Sequence, residues 1–229
     1  MIRSSTLATF VIATVIFLTS IFAQDVHLDL PVHPSNYVGL IPQPCPLPPD
    51  DDDPRDETPP VFFGEEIEID DGVLIYVLDY SCSMEVEQRE EKVEAEFVRS
   101  VTGLPPSIRF GVITYSCIIL EWPVAQATPD AKARAIQFVR GCYPNSGTAT
   151  GPSVVRGFRL DPACQRVVLL TDGEPNCGAV GLAGHRAMIR NANLQGAVID
   201  VFGIAASGTW RGFCQDVAKD SGGSYTDVP

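Results

Sequence analysis

Three short apolar runs constrain this chain more than any other feature. Val73 to Leu78 (VLIYVL), Val167 to Leu170 (VVLL) and Val198 to Phe202 (VIDVF) are too short for buried helices and lack polar alternation. Strands covered on both faces read this way, and such strands belong to parallel sheets with helices on either side. The intervening stretches have the helical period. Val86, Val93, Phe97, Val101 and Leu104 fall on one face, as do Ala131, Ala135, Phe138 and Val139. Thr128-Pro129-Asp130 supplies an N-cap, a first-position proline and a first-turn acid for the second of these helices. A short helix is predicted after Pro152, and others through His185, Met188, Ile189 and Ala192 and through Phe213 and Val217. Ile108 to Tyr115 is a further strand, and 224–228 a last one. Ile118 to Trp122 follows too closely for a crossover helix, so it should return antiparallel at an edge. The fold class is α/β: a doubly wound, Rossmann-like, mostly parallel sheet with one antiparallel edge strand and helices on both faces.

Upstream of this pattern the composition changes. The formal net charge is −13, and −12 of it falls in residues 24–71, where thirteen acids face the single base Arg55. Ten of the 19 prolines lie there too. Proline denies backbone donors, and the consecutive acids Asp50 to Asp53 repel one another, so 24–71 reads as an extended linker rather than a packed unit. His27 and His33 lie in it without an evident third ligand. Residues 1–23 carry one base, Arg3, then an uncharged run from Leu7 to Phe22 and a small residue, Ala23. That is the form of a signal peptide, or of an uncleaved anchor that could hold the protein on a membrane. Either places residues 24–229 outside the cytoplasm, secreted or at the cell surface. The three expected parts are therefore 1–23, 24–71 and a folded domain over 72–229. A chain this acidic does not suit nucleic acid.

In doubly wound sheets, sites form at the carboxyl ends of strands. The first buried run ends in Asp79-Tyr80-Ser81-Cys82-Ser83, with one carboxylate and two hydroxyls at alternate positions. The third long strand, 167–170, ends in Thr171-Asp172-Gly173. Between them Asn145-Ser146-Gly147-Thr148 forms a loop whose Thr hydroxyl can reach the same edge. Two carboxylates and three hydroxyls are hard oxygen donors, suited to Mg²⁺, Mn²⁺ or Ca²⁺. The competing reading is that Ser81 and Ser83 cap a helix and Asp172 makes a turn.

At these residues the chain resembles the von Willebrand factor type A family, which includes integrin I domains. The family's metal-ion-dependent adhesion site (MIDAS) has the pattern D-x-S-x-S, then a Thr in a Gly-containing loop, then an Asp after a later strand. Here those positions are Asp79, Ser81, Ser83, Thr148 and Asp172, and Met84 and the phrase LLTDGEPN are also similar. The resemblance covers roughly 73–228. It implies that Asp79, Ser81, Ser83 and Thr148 hold a divalent metal directly or through water, and that Asp172 acts mostly through water. It implies an open coordination position that a partner protein fills with an Asp or Glu carboxylate. Cys82 and Cys117 are not regular family features, and only Pro229 follows the last strand, where family members usually add a C-terminal helix.

Outside the cytosol, the seven cysteines should pair, leaving Cys45 odd. The strand order suggests Cys82–Cys117, Cys142–Cys177 and Cys164–Cys214. The function implied is an exported, metal-dependent adhesion or assembly module. The alternatives are a structural module whose metal only braces loops, and a metal-dependent hydrolase. The hydrolase is disfavoured because no G-x-S-x-G, H-E-x-x-H or P-loop pattern occurs and the domain's only histidine, His185, falls on a core face.

Overall fold

The computed structural model describes residues 59–69 and 71–228. Residues 1–23, expected to be a signal peptide or anchor, the Asp50–Asp53 run, His27, His33 and Cys45 lie outside the described residues. Among the described residues no helix is long and apolar enough to cross a membrane.

Six strands form one sheet: β3 (Gly72–Asp79), β4 (Ile108–Tyr115), β5 (Ile119–Gln126), β6 (Cys164–Thr171), β7 (Val198–Ile204) and β8 (Tyr225–Val228). Their order is β5-β4-β3-β6-β7-β8. All neighbours are parallel except β4 and β5, which are antiparallel as the short connection requires. The apolar runs of β3, β6 and β7 occupy the centre and are buried on both faces. A separate two-stranded hairpin, β1 (Val61–Phe62) and β2 (Glu65–Glu66), precedes the sheet.

Five α-helices cover the sheet: α1 (Arg89–Thr102), α2 (Pro129–Arg140), α3 (Thr150–Leu160), α4 (Gly181–Ala192) and α5 (Gly208–Ser221). The first two pack on one face through Val93, Phe97, Val101, Ala131, Ala135 and Val139. The other three pack on the opposite face through Val154, Phe158, Ile189, Phe213 and Val217. Thr128 caps α2 by accepting from the Ala131 amide at 3.2 Å, ahead of Pro129. Both α3 and α4 start as the pattern predicts to within a turn, with Pro152 inside the first turn of α3, where a missing amide proton is harmless.

Two expectations about the domain's start are corrected. The folded part begins before residue 72: Phe62, Ile67 and Ile69 are buried in the α1/α2-side core, and Phe62 meets Phe202 edge-on at 4.9 Å. The acidic composition of 24–71 hid this, because a two-residue strand carries no periodicity. The hairpin is also tied by hydrogen bonds. Glu96 Oε1 accepts from the Phe63 amide at 2.6 Å, and Arg166 donates to the Glu68 carbonyl at 2.5 Å while pairing with buried Asp200 at 2.5 Å. Second, Val86 is not on the inward face of α1 but 50% exposed. It lies in a kinked 3₁₀ segment, Cys82–Gln88, where Glu87 and Gln88 adopt left-handed φ of 56° and interrupt the helix before Arg89.

Because Phe62 fills the face opposite α3–α5, Phe62→Ala should cost about 3–5 kcal/mol, the range for emptying a buried aromatic site. A linker residue would cost nothing measurable. Urea unfolding of both proteins distinguishes these outcomes.

Candidate functional site

The carboxyl ends of β3 and β6, the two central strands, deliver one aspartate each to the same edge. Asp79 ends β3 and is fully buried. Its Oδ1 accepts from the Ser81 amide at 2.9 Å, and its Oδ2 accepts from the Thr171 hydroxyl at 2.8 Å and the Tyr115 hydroxyl at 3.3 Å. These bonds fix the carboxylate but do not neutralise it. Burial raises its pKa, the neighbouring Asp172 charge raises it further, and the bonds from Ser81 and Thr171 lower it, leaving it at about 7.

Asp172 follows β6 and is also buried. Its Oδ1 accepts from Ser83 Oγ at 2.7 Å and, more loosely, from Ser81 Oγ at 3.4 Å, and the two hydroxyls are 3.1 Å apart. Ser81, Ser83 and Asp172 thus share one hydrogen-bonded cluster. The alternation of D-x-S-x-S explains why both hydroxyls turn the same way. The other Asp172 oxygen, Oδ2, holds Arg89 Nη1 at 2.9 Å.

Thr148 is buried in the loop between α2 and α3. A Cβ added at Gly173 would lie 3.3 Å from Ser83 Oγ and 3.4 Å from Thr148 Oγ1. The missing side chain at Gly173 therefore leaves a cradle into which hydroxyls from two separate loops project. Asn176 fixes Thr148: its Oδ1 accepts from the Thr148 amide at 2.9 Å, and its own amide donates to the Thr148 carbonyl at 2.9 Å. All five residues proposed from sequence thus meet at one edge, Asp79 deepest and Ser83 nearest the surface. Among the described residues no group of three or more His, Cys, Asp and Glu is placed to hold a metal, so a cation here would rest on hydroxyls as much as carboxylates. Two buried carboxylates, three hydroxyls and an unfilled cradle suit a hard divalent ion.

The cysteine pairings differ from expectation. Among the described residues one disulfide forms, Cys117–Cys177, with Cα atoms 5.6 Å apart. Cys82, Cys142, Cys164 and Cys214 are free thiols, so Cys82–Cys117, Cys142–Cys177 and Cys164–Cys214 are all corrected. The reasons are local. Cys82 is exposed and its amide is tied to the Ser146 carbonyl. The Cys142 thiol turns inward, 3.3 Å from Thr114 Oγ1 and 3.4 Å from the Phe138 carbonyl. Cys164 opens β6 at the amino end of the sheet, whereas Cys214 sits in the first half of α5, which descends from the opposite end. The bridge that forms joins the loops after β4 and β6, the neighbours of β3, and so spans the strand that carries Asp79.

Four contributors escape a reading by motif. Tyr115 and Thr171 look like strand residues, and their strand-end position is the only hint that they face Asp79. Asn176 lies in LLTDGEPN but its bond to Thr148 spans 28 residues. Arg89 sits amid Glu85, Glu87, Glu90 and Glu91, where a base reads as a solvated helix charge. His185 is elsewhere: it is buried, and its Nδ1 accepts from the Gly151 amide at 2.9 Å.

No protein-family model matches the chain, and no curated protein matches it. Solved structures do. A von Willebrand factor type A protein from Catenulispora acidiphila aligns with a TM-score of 0.60 at 22% identity, over 69% of this chain and 39% of that one. The pilus adhesin SpaC from Lactobacillus rhamnosus GG aligns at 0.58 and 16% identity, over 71% and 29%. Proximal thread matrix protein 1 from the mussel byssus aligns at 0.54 and 19% identity, over 68% and 41%, and has also been solved with a zinc-occupied MIDAS motif. The chain thus spans well under half the length of these structures. At such identities they establish architecture: the chain has the von Willebrand factor type A fold.

The raised pKa of Asp79 makes a signed prediction. With the folded value near 7 and the unfolded value near 3.8, the folded state binds the extra proton between them. In EDTA the Asp79 contribution is therefore most favourable at low pH and is lost as pH rises toward 7, by a few kcal/mol at most, at about 1.4 kcal/mol per pKa unit. Thermal unfolding from pH 5 to 8 should show wild type losing stability relative to Asp79→Asn as pH rises; parallel curves would mean Asp79 is not strained by its burial.

Proposed function

We propose that this protein is an exported module that binds a partner protein through a divalent metal held by Asp79, Ser81, Ser83, Thr148 and Asp172. The observation that carries the metal is the cradle at Gly173: the Ser83 and Thr148 hydroxyls from two loops face the space where a side chain is missing, and Asp172 lies against Ser83. In this reading Ser83 and Thr148 present hydroxyls from opposite sides. Asp79 supplies buried charge from below, with Tyr115 and Thr171 fixing its orientation. Asp172 orients the Ser83 hydroxyl and adds charge at greater distance. A bound Mg²⁺, Mn²⁺ or Ca²⁺ would offer an electrophilic position to an Asp or Glu of the partner. Because three of the five donors are neutral and Asp172 acts at greater distance, the ion stays electrophilic once loaded, which favours an anionic ligand.

The surface around the site supports protein binding. Six large hydrophobic residues are exposed among the described residues, and four of them, Val86, Ile118, Tyr143 and Val180, lie in the loops at the carboxyl ends of the strands. Exposed apolar side chains beside a charged centre give a partner protein surface to bury. The fold's occurrence in a pilus adhesin and a byssus matrix protein fits adhesion or assembly outside the cell. The bracing alternative has less to explain, because the Cys117–Cys177 bridge and Asn176 already fix the Thr148 and Asp172 loops. A hydrolase would need a base beside the metal. His185 faces Gly151 in the core instead.

Thermal unfolding of the full chain in Mg²⁺, Mn²⁺ or Ca²⁺ against EDTA tests the site. A metal held only by the folded state adds about 2.7 kcal/mol at a hundredfold excess over Kd. That rise should vanish in Asp79→Ala. Equal midpoints with metal and with EDTA in the wild type would remove the metal from the function.

A further inference from the structure

Arg89 occupies a place that its own helix disfavours. It is the first residue of α1, where the backbone dipole repels cations. The two residues before it, Glu87 and Gln88, both have φ of 56°, a left-handed conformation costly for residues with a Cβ and here without glycine to relieve it. Its Nε is buried without a hydrogen-bond partner. Three local penalties therefore converge on one side chain, and a single strong contact opposes them: Nη1 to Asp172 Oδ2 at 2.9 Å, with the carboxylate side chain fully buried and the arginine side chain 15% exposed. The remaining ionic contact, Nη2 to exposed Glu87 at 3.5 Å, is looser and screened by solvent.

Asp172 is also one of the five residues assigned to the metal. Its Oδ1 is engaged by Ser83 and Ser81, so the guanidinium has taken the oxygen that remains. A guanidinium and a dication cannot both sit beside this carboxylate without repelling each other across a buried edge, where screening is weak.

We propose that Arg89 is a resident cation that competes with the divalent metal for Asp172, so that loading the site requires the guanidinium to leave and lets the turn at 86–88 relax. The proposal rests on the metal reading above and adds to it a built-in latch. Metal binding is thereby weakened in the resting protein and coupled to the start of α1. Val86, one of the exposed apolar residues on the binding edge, lies in that turn. Release of Arg89 therefore changes the surface offered to a partner as well as the metal site.

The test is Mn²⁺ affinity by calorimetry on the full chain, in wild type, Arg89→Gln, Arg89→Lys and Asp79→Ala. Arg89→Gln should bind Mn²⁺ at least tenfold tighter than wild type while melting lower in EDTA, because Asp172 is then buried without its counter-ion. Arg89→Lys should fall between. Equal or weaker Mn²⁺ binding in Arg89→Gln would overturn the latch and make Arg89 a residue that positions Asp172 for the metal. Should Arg89→Gln not fold, amide exchange in the wild type decides: residues 87–90 should exchange faster once Mn²⁺ is added, and slower exchange overturns the proposal. Mn²⁺ binding in wild type without tightening in the variant removes only the latch. No binding in any variant removes the metal reading, and the latch with it.

Discussion

The edge of this sheet is organised around a buried carboxylate that has no counter-ion among the described residues. Asp79 is fully buried, receives three hydrogen bonds from neutral groups, and lies beside a second buried carboxylate. Hydrogen bonds orient an ion, but they do not replace the hydration lost on burial. Asp172 has a cation in Arg89. Asp79 has none among the described residues. Strongly perturbed buried carboxylates of this kind cluster at functional sites. The rest of the edge follows from that asymmetry: hydroxyls where neutral donors suffice, a glycine where a side chain would close the space, and an arginine held against its own helix's preference.

Rigidity is distributed to suit such a site. The parallel strands position Asp79 and Asp172 from the centre of the sheet, the part with the largest apolar cover. Thr148 comes from a loop and needs other restraints. It obtains them from Asn176, one residue before Cys177, whose bridge to Cys117 crosses the end of β3. By contrast the 82–88 segment is irregular and carries two left-handed residues. One side of the edge is pinned covalently, and the side bearing Ser83 and Arg89 is pinned by the Arg89–Asp172 ion pair.

What the sequence makes legible is the part set by period and burial. Strands without a polar face at 73–78, 167–170 and 198–202 announce a parallel sheet. The close spacing of 108–115 and 118–122 announces the antiparallel edge. The five oxygen donors are legible because Asp79 ends a strand, Ser81, Ser83 and Asp172 follow directly after one, and Thr148 sits in a glycine-containing loop, all on the same side of the sheet. The hairpin at 61–66 is not, because its contribution is one buried phenylalanine among acids and prolines. Disulfide pairing is not, because it depends on how far each loop rises above the sheet. Cys82 and Cys117 follow adjacent strands, yet the amide of Cys82 is bound to Ser146 and its side chain faces solvent.

Arg89 shows most clearly where reading by pattern stops. Within the run Glu85 to Glu91 a lone base has abundant acidic neighbours, and local rules assign it to one of them at the surface. The structure gives it to Asp172, 83 residues away, at the cost of a left-handed turn and an unpaired Nε. That choice follows from burial. An exposed pair gains little from either partner, whereas a carboxylate with no access to water gains from any cation that reaches it. A divalent ion in the adjacent cradle would satisfy the same carboxylate with twice the charge and none of the backbone strain. On the proposed reading, the affinity of this edge for metal would be set by two things together: the donors that face the cradle, and the stability of the contact that would have to be given up.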